Sequence, residues 1–229
     1  MNVRSKPDLL KVEEGKSIKV DAFLEKGGVP LSVAGEVPRH AHDERLVKII
    51  AGNIEVSDTR RLKLAVKALE NGVDIEQVCK TAGWRDFEDL VALIVESNEY
   101  RTWKHFRFRM EDRIREVDVL AIKGPLMLAI ECKRWRKSWK TMETRRVAEN
   151  HLEKTMFLLK ALPNLATRLD PVNWRVATLL PVVLTLSETP IMVEKGVPVV
   201  PIYRFKNFLS DFEGHLEELA VLNYAKSTD

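Results

Sequence analysis

Three observations predict an α/β fold. The hydrophobic period changes from helical to two at Tyr100, two apolar strands flank Lys123-Gly124-Pro125, and an amphipathic helix follows them. From about Trp84 the order reads helix, three strands, helix, two strands, helix, and a small helical region precedes this core. Residues 1–56 form a segment whose role the pattern leaves open, 57–84 a helical region with helix-turn-helix-like spacing, and 85–229 the α/β domain.

In the first segment SIKVDAFL reads as a short strand, GGVPLSVAGEVP is rich in turn residues, and DERLVKIIAG is expected to supply a short helix. His40 and His42 stand one residue apart with Asp43 beside them, which reads as a solvated turn rather than a metal site. Ser57 then caps a helix through Leu62, Leu64, Ala65, Val66 and Leu69 that Asn71-Gly72 stops. Asp74 and Gln77 have capping-box spacing ahead of Ile75, Val78 and Cys79, so a second, shorter helix follows. WRDFEDLVALIVES makes the third. Such spacing suits a helix-turn-helix that would present Trp84, Arg85 and Asp86 to a DNA groove, although any helical subdomain shares it.

YRTWKHFRFR alternates, which places Thr102, Lys104, Phe106 and Phe108 on one face and Arg101, Trp103, His105, Arg107 and Arg109 on the other. MEDR turns the chain into REVDVLAI, and Lys123-Gly124-Pro125 turns it again into LMLAIECK, completing an antiparallel meander. The last two strands are apolar at successive positions, which requires burial on both faces. In the next helix Val147, Leu152, Met156, Leu159 and Leu162 form the expected inward stripe, with Pro163 marking its end. WRVATLLPVVLTL and VPVVPIY read as strands, and FKNFLSDFEGHLEELAVL as a closing amphipathic helix.

The chain of 229 residues is 45% hydrophobic and carries a net charge of only +3 although 31% of it is charged, so attraction to a polyanion must come from local clustering. Its 2 cysteines, Cys79 and Cys132, have no metal-ligand or disulfide-scaffold spacing, which suits a reducing cytoplasm. No apolar run approaches a membrane span, and the first residues lack a signal-like apolar core, so a soluble cytoplasmic protein is expected. Gln77 is the one glutamine in a chain rich in Lys, Glu and Arg, a bias associated with heat-loving organisms.

The chemistry gathers at the end of the third strand. Alternation sends Glu131 and Lys133 to one face and Cys132 to the other, and counting back from a tight turn sets Asp118 opposite Ile130 or Glu131. Two carboxylates at the edge of a buried sheet repel unless a positive group lies between them, and a hard divalent cation such as Mg2+ (or Mn2+) suits their oxygens. Asp118 and Glu131 would hold the metal and Lys133 would orient the nucleophile or phosphate, an arrangement for phosphodiester hydrolysis. An ExK by itself reads as a surface ion pair; the acid on the partner strand and the helix order around it are what raise its meaning.

At these residues the sequence resembles the PD-(D/E)xK nuclease superfamily, with its restriction-endonuclease-like fold, over about Trp84 to the C-terminus. The resemblance implies a nuclease-like domain over 85–229, Asp118 and Glu131 as metal ligands together with the backbone carbonyl of Cys132, Lys133 as the catalytic lysine, and Glu88 as an assisting acid on the first core helix. Val117 stands where the literal motif has proline. Glu116 shares a strand face with Asp118 and is the first substitute for Glu88; Glu96, Glu99 and Glu111 are further ones. Cys132 reads as a buried core residue rather than a nucleophile.

The next residues support DNA as partner. KRWRKSWKTMETRR sets Arg134, Arg136, Lys137, Lys140, Arg145 and Arg146 around Trp135 and Trp139, so that cations meet phosphates while indoles stack on bases or sugars. A metal-dependent DNA endonuclease is therefore the expected function. The alternatives are a non-catalytic nucleic-acid-binding protein on an inactive nuclease fold and a scaffold for assembly. By analogy with relatives of the fold, a homodimer is expected.

Overall fold

The long apolar run between Val117 and Ile130 becomes two neighbouring strands, β5 (Arg113–Lys123) and β6 (Leu126–Lys133), joined across Gly124 and Pro125. Before them, β4 (Arg101–Met110) pairs with β5 through Glu111 and Asp112, whose φ values of 51° and 58° give the tight turn that matches strand twist. The antiparallel meander is present as expected. In this computed structural model the described residues are 84–133, 140–169 and 176–225, with 18–19, 47–51, 53–55, 62–63, 65–66, 75 and 78–79 before them. The chain divides into two compact units, Met1–Leu90 and Val91–Asp229, the division falling within helix α1 (Trp84–Glu96).

In the first unit, β1 (Ile18–Lys19), β2 (Lys48–Ile50) and β3 (Asn53–Glu55) form a small antiparallel sheet in the order β1-β3-β2. Ile18–Lys19 of the strand expected in SIKVDAFL are extended, whereas Lys48–Ile50 of the helix expected in DERLVKIIAG form a strand of a hairpin. Ala51, with φ 48°, turns the chain between two short runs that pair directly, which a helix could not do. Leu62, Lys63, Ala65, Val66, Ile75, Val78 and Cys79 are helical. The helix-turn-helix expectation depends on residues outside the described ones, as do His40 and His42.

The second unit is α/β, built on a mixed sheet. Helix α2 (Thr141–Leu169) carries the chain from β6 to β7 (Val176–Thr185), which lies parallel to β6 over eight registered pairs. β8 (Val193–Glu194) and β9 (Val197–Pro201) make a hairpin, and β9 runs parallel to β7. The order is β4-β5-β6-β7-β9-β8, with β10 (Leu222–Ala225) pairing with the first half of β7. Every residue of β6 between its ends is buried, as the apolar pattern requires of a strand covered on both faces.

Three helical expectations are corrected. Pro163 lies inside α2, which continues because Leu165 and Leu169 extend its buried stripe into the core cluster with Leu158 and Leu162. The inward face is Thr144, Ala148, His151, Thr155, Leu158 and Leu162, while Met156 is exposed; polar residues are buried where α2 passes the end of β6. The closing helix is short: α3 (Phe205–Asp211) gives way to a 3-10 stretch kinked at His215, and its expected last residue, Leu222, begins β10. Phe205, Phe208 and Phe212 stack in series along this segment.

The strict alternation expected of β4 also fails at one point. Trp103, Phe106 and Phe108 all pack against one core cluster, so the strand changes face between them. The change falls at His105, which has φ 49° and is skipped in the ladder between Lys104↔Val119 and Phe106↔Val117. Arg101, over the Trp103 ring, therefore parts company with Arg107 and Arg109.

The β8–β9 turn yields a stability test. Gly196 has φ 76° and accepts the Ala220 backbone N–H at 2.7 Å, and a Cβ there would lie 2.6 Å from that nitrogen. Gly124 has φ 58° but open space around it. Gly124→Ala is expected to cost about 1 kcal/mol from backbone strain alone, and Gly196→Ala about 3 kcal/mol because backbone must also shift. Urea unfolding of both variants checks the ranking.

Candidate active site

The site forms where two paired strands part. The β5–β6 ladder runs from Lys123↔Leu126 to Val119↔Ile130 and stops, so Asp118 and Glu131, the next pair in register, are not joined through their backbones. This resolves the choice of partner for Asp118 in favour of Glu131. β6 continues on its other side, pairing Glu131, Cys132 and Lys133 with Val183, Leu184 and Thr185 of β7. One side of β6 stays locked while β5 leaves the other, and Asp118 Oδ2 accepts the freed Cys132 backbone N–H at 2.7 Å.

Met127 and Ala129 belong to the cluster packed with α2, so Glu131, next in alternation, faces that helix. Its carboxylate is nearly buried, with the side chain 11% exposed. Lys133 Nζ lies 2.6 Å from Oε1 and Lys154 Nζ, from α2, 2.5 Å from Oε2. His151, fully buried one helical turn before Lys154, donates Nε2–H to the Ala129 carbonyl at 2.7 Å and turns Nδ1 toward Glu131 Oε2 at 3.7 Å, too long for a hydrogen bond. Nδ1 has no hydrogen-bond partner among the described residues.

These neighbours separate the two acids. Burial pushes the Asp118 carboxyl up and Glu131 pushes it further, against the pull of the Cys132 N–H, Lys133 and Lys154, so that it titrates at about 6. Burial acts upward on Glu131 as well, but the positive groups beside it outweigh that effect and hold it down to about 2. Burial takes His151 down to about 4, so the imidazole is neutral near neutral pH and the lysines carry the compensation of Glu131. Burial would lower Lys133, yet Glu131 and Asp118 keep it above its ordinary value. A carboxylate pair with split acidities and an adjoining ammonium suits cation binding and proton transfer.

The other expected residues are placed as follows. Glu88 is buried on α1, in the Met1–Leu90 unit. Glu116, its first substitute, is engaged elsewhere, with Arg107 at 2.5 Å and His105 at 3.4 Å. Glu96 bonds Thr102, Glu99 pairs with Lys123 at 3.0 Å, and Glu111 is exposed in the β4–β5 turn. Cys132 is buried, as expected of a core thiol. Arg134, Trp135, Arg136 and Lys137 lie outside the described residues. Lys140, Arg145 and Arg146 are exposed around the start of α2, and Arg145 pairs with Glu194 at 3.3 Å. Glu143, the acid within this basic run, accepts the Lys140 backbone N–H at 3.4 Å at the head of the helix.

Two site residues were not anticipated: His151 and Lys154. The signal lay in a helix whose best buried stripe includes Thr144, His151 and Thr155, which a purely apolar reading passes over. Among the described residues no group of three or more His, Cys, Asp or Glu side chains is arranged to hold a metal ion. The ligand set expected from the resemblance has two carboxylates and a backbone carbonyl. No helix of the described residues is long and apolar enough to cross a membrane.

No protein-family model matches the chain. An uncharacterized protein of Archaeoglobus fulgidus is 26% identical over 140 residues, which cover 61% of this chain and 98% of that protein. Among solved structures, the protein of unknown function AF1548 aligns with a TM-score of 0.37 at 16% identity, over 56% of this chain and 65% of its own. Protein VC1899 from Vibrio cholerae aligns with a TM-score of 0.35 at 11% identity, over 94% of this chain and 51% of its own. The match thus spans about two thirds of the first structure and half of the second.

The raised Asp118 carboxyl fixes a sign for stability. Its folded value, about 6, lies above the ordinary 3.8, so ionisation weakens the fold progressively as pH rises between them and has no such effect below both. In chelator at about pH 7, Asp118→Asn is expected to stabilise the protein by on the order of 2 kcal/mol, with the gain shrinking toward about pH 4. Urea unfolding at the two pH values measures it; equal effects at both would remove the electrostatic account.

Proposed function

We propose that the chain is a divalent-metal-dependent endonuclease that hydrolyses phosphodiester bonds in DNA, on the restriction-endonuclease-like core of the PD-(D/E)xK superfamily. The observation that carries this reading is the fork itself, with Asp118 and Glu131 in register at its mouth and Lys133 bonded to Glu131 on the same face. Two neighbouring carboxylates are a hard-oxygen donor set, and their mutual repulsion favours a cation between them. That donor set fits Mg2+ or Mn2+, held by Asp118, Glu131 and the carbonyl of Cys132. When bound, such an ion supplies an activated water and offsets charge developing on the phosphate.

The chain's own residues supply the rest. Lys133, kept protonated by the two acids, orients the attacked phosphate and stabilises its negative charge. The bond from the Cys132 N–H fixes Asp118, leaving its other oxygen for a ligand. Glu88 is assigned the assisting acid's role. Lys140, Arg145 and Arg146, with Arg134, Trp135, Arg136 and Lys137 before them, make the DNA-contacting surface, Arg145 exchanging Glu194 for phosphate. Action in the cytoplasm, as a homodimer, completes the proposal.

One observation favours the non-catalytic alternative: both Glu131 oxygens already hold lysines, so the site is balanced without a metal. Turnover separates the two. With Mg2+ or Mn2+ the protein is expected to cleave duplex, single-stranded or branched DNA, and Asp118→Ala and Lys133→Ala are each expected to slow cleavage at least ~100-fold. Salt-sensitive DNA binding with no cleavage would establish the alternative.

A further inference from the structure

Glu131 is served by cations from two different elements. Lys133 lies two residues along the same strand and is also attracted by Asp118. Lys154 reaches Oε2 from α2 on a flexible stem, with its side chain 21% exposed. On the same oxygen's side His151 Nδ1 lies at 3.7 Å, too far to bond it, so the contact at Oε2 is supplied by Lys154. A carboxylate this buried is not left bare.

With Asp118 and Glu131 ionised and both lysines charged, the local sum is zero. A dication adds two positive charges to a pocket that already has its counterions, so its arrival is opposed unless a lysine withdraws. Lys154 is the one that can do so, because Lys133 is drawn more strongly than Lys154 to Asp118 and because Lys154 bonds Oε2 alone, so that its departure leaves Lys133 on Oε1.

We propose that Lys154 is a resident counterion that holds Glu131 Oε2 while the site is metal-free and that a divalent cation must displace to bind. This deepens the nuclease reading and rests on its assignment of Glu131 as a metal ligand. Lys154 is thus a positioning residue that sets metal affinity: it keeps Glu131 aimed and the fork neutral until a cation takes over, and once released it leaves the loaded pocket with surplus positive charge for an anionic substrate.

Calorimetric titration of the full chain with Mn2+ alone, without DNA, tests this. Lys154→Met is expected to bind Mn2+ about tenfold more tightly than the wild type, and Lys154→Arg, which keeps the charge, to stay near the wild-type affinity. The melting temperature gives a second readout: Lys154→Met is expected to melt below wild type in chelator and to recover in manganese. If removing the counterion unfolds the metal-free protein, Lys154→Gln, which keeps a hydrogen-bond donor, takes its place in both measurements. Wild type that binds Mn2+ and cleaves DNA, beside a variant whose affinity is unchanged or weaker, or whose melting loss persists in manganese, overturns the counterion role and leaves the nuclease reading standing. Wild type that binds no Mn2+ overturns both.

Discussion

The hydrogen bond from the Cys132 backbone N–H to Asp118 Oδ2 spans the point where β5 and β6 part, and the rest of the site depends on it. Once the ladder ends at Val119↔Ile130, the Cys132 amide has lost its backbone acceptor across the meander. A buried amide without a partner costs about 1–3 kcal/mol, and the carboxylate of Asp118 takes the missing carbonyl's place. The same bond fixes an acid beside Glu131. Local backbone satisfaction and the close approach of two carboxylates are one event.

That approach is unfavourable, and the fold answers it with charge from elsewhere. Lys133 comes with the strand, while Lys154 comes with α2, which brings His151 to the site as well and sets Leu158, Leu162, Leu165 and Leu169 in the core. His151 joins the two, since its bond to the Ala129 carbonyl ties α2 to β6 two residues before Glu131. The acids split because burial and Glu131 raise Asp118 to about 6, while the positive charge of His151, Lys154 and Lys133 outweighs burial at Glu131 and lowers it to about 2. Changing the helix's seating would therefore alter core packing and site acidity together.

Much of this was legible in the sequence, for physical reasons. A tight Gly-Pro turn between continuous apolar runs sets register by counting, which narrows the partner of Asp118 to Ile130 or Glu131; the point where the ladder ends decides between them. Alternation along β6 placed Glu131 and Lys133 on one face. The residues missed were those whose position depends on tertiary packing. His151 and Thr155 are buried although polar, so the expected stripe holds at Leu162 and in part at Val147, Leu152 and Leu159, and fails at Met156, which is exposed. Pro163 reads locally as a helix end but is overridden by Leu165 and Leu169 beyond it. The face change at His105 needs a left-handed backbone that no side-chain pattern announces, and β10 is a strand only because the edge of β7 is there to receive it.

The connectivity of the sheet has a kinetic side. β4, β5 and β6 are joined by two-residue turns, so their pairing closes short loops, whereas β7 and β10 must find the sheet across much longer stretches of chain. Loop-closure entropy favours the meander as the earlier structure. Asp118 and Glu131 are then already side by side when α2 arrives, with Lys133 beside them offsetting one charge, and the negative charge that is left favours docking of the helix that carries Lys154. The repulsion that makes the acids costly in the finished site becomes, during folding, an attraction that guides its last component home.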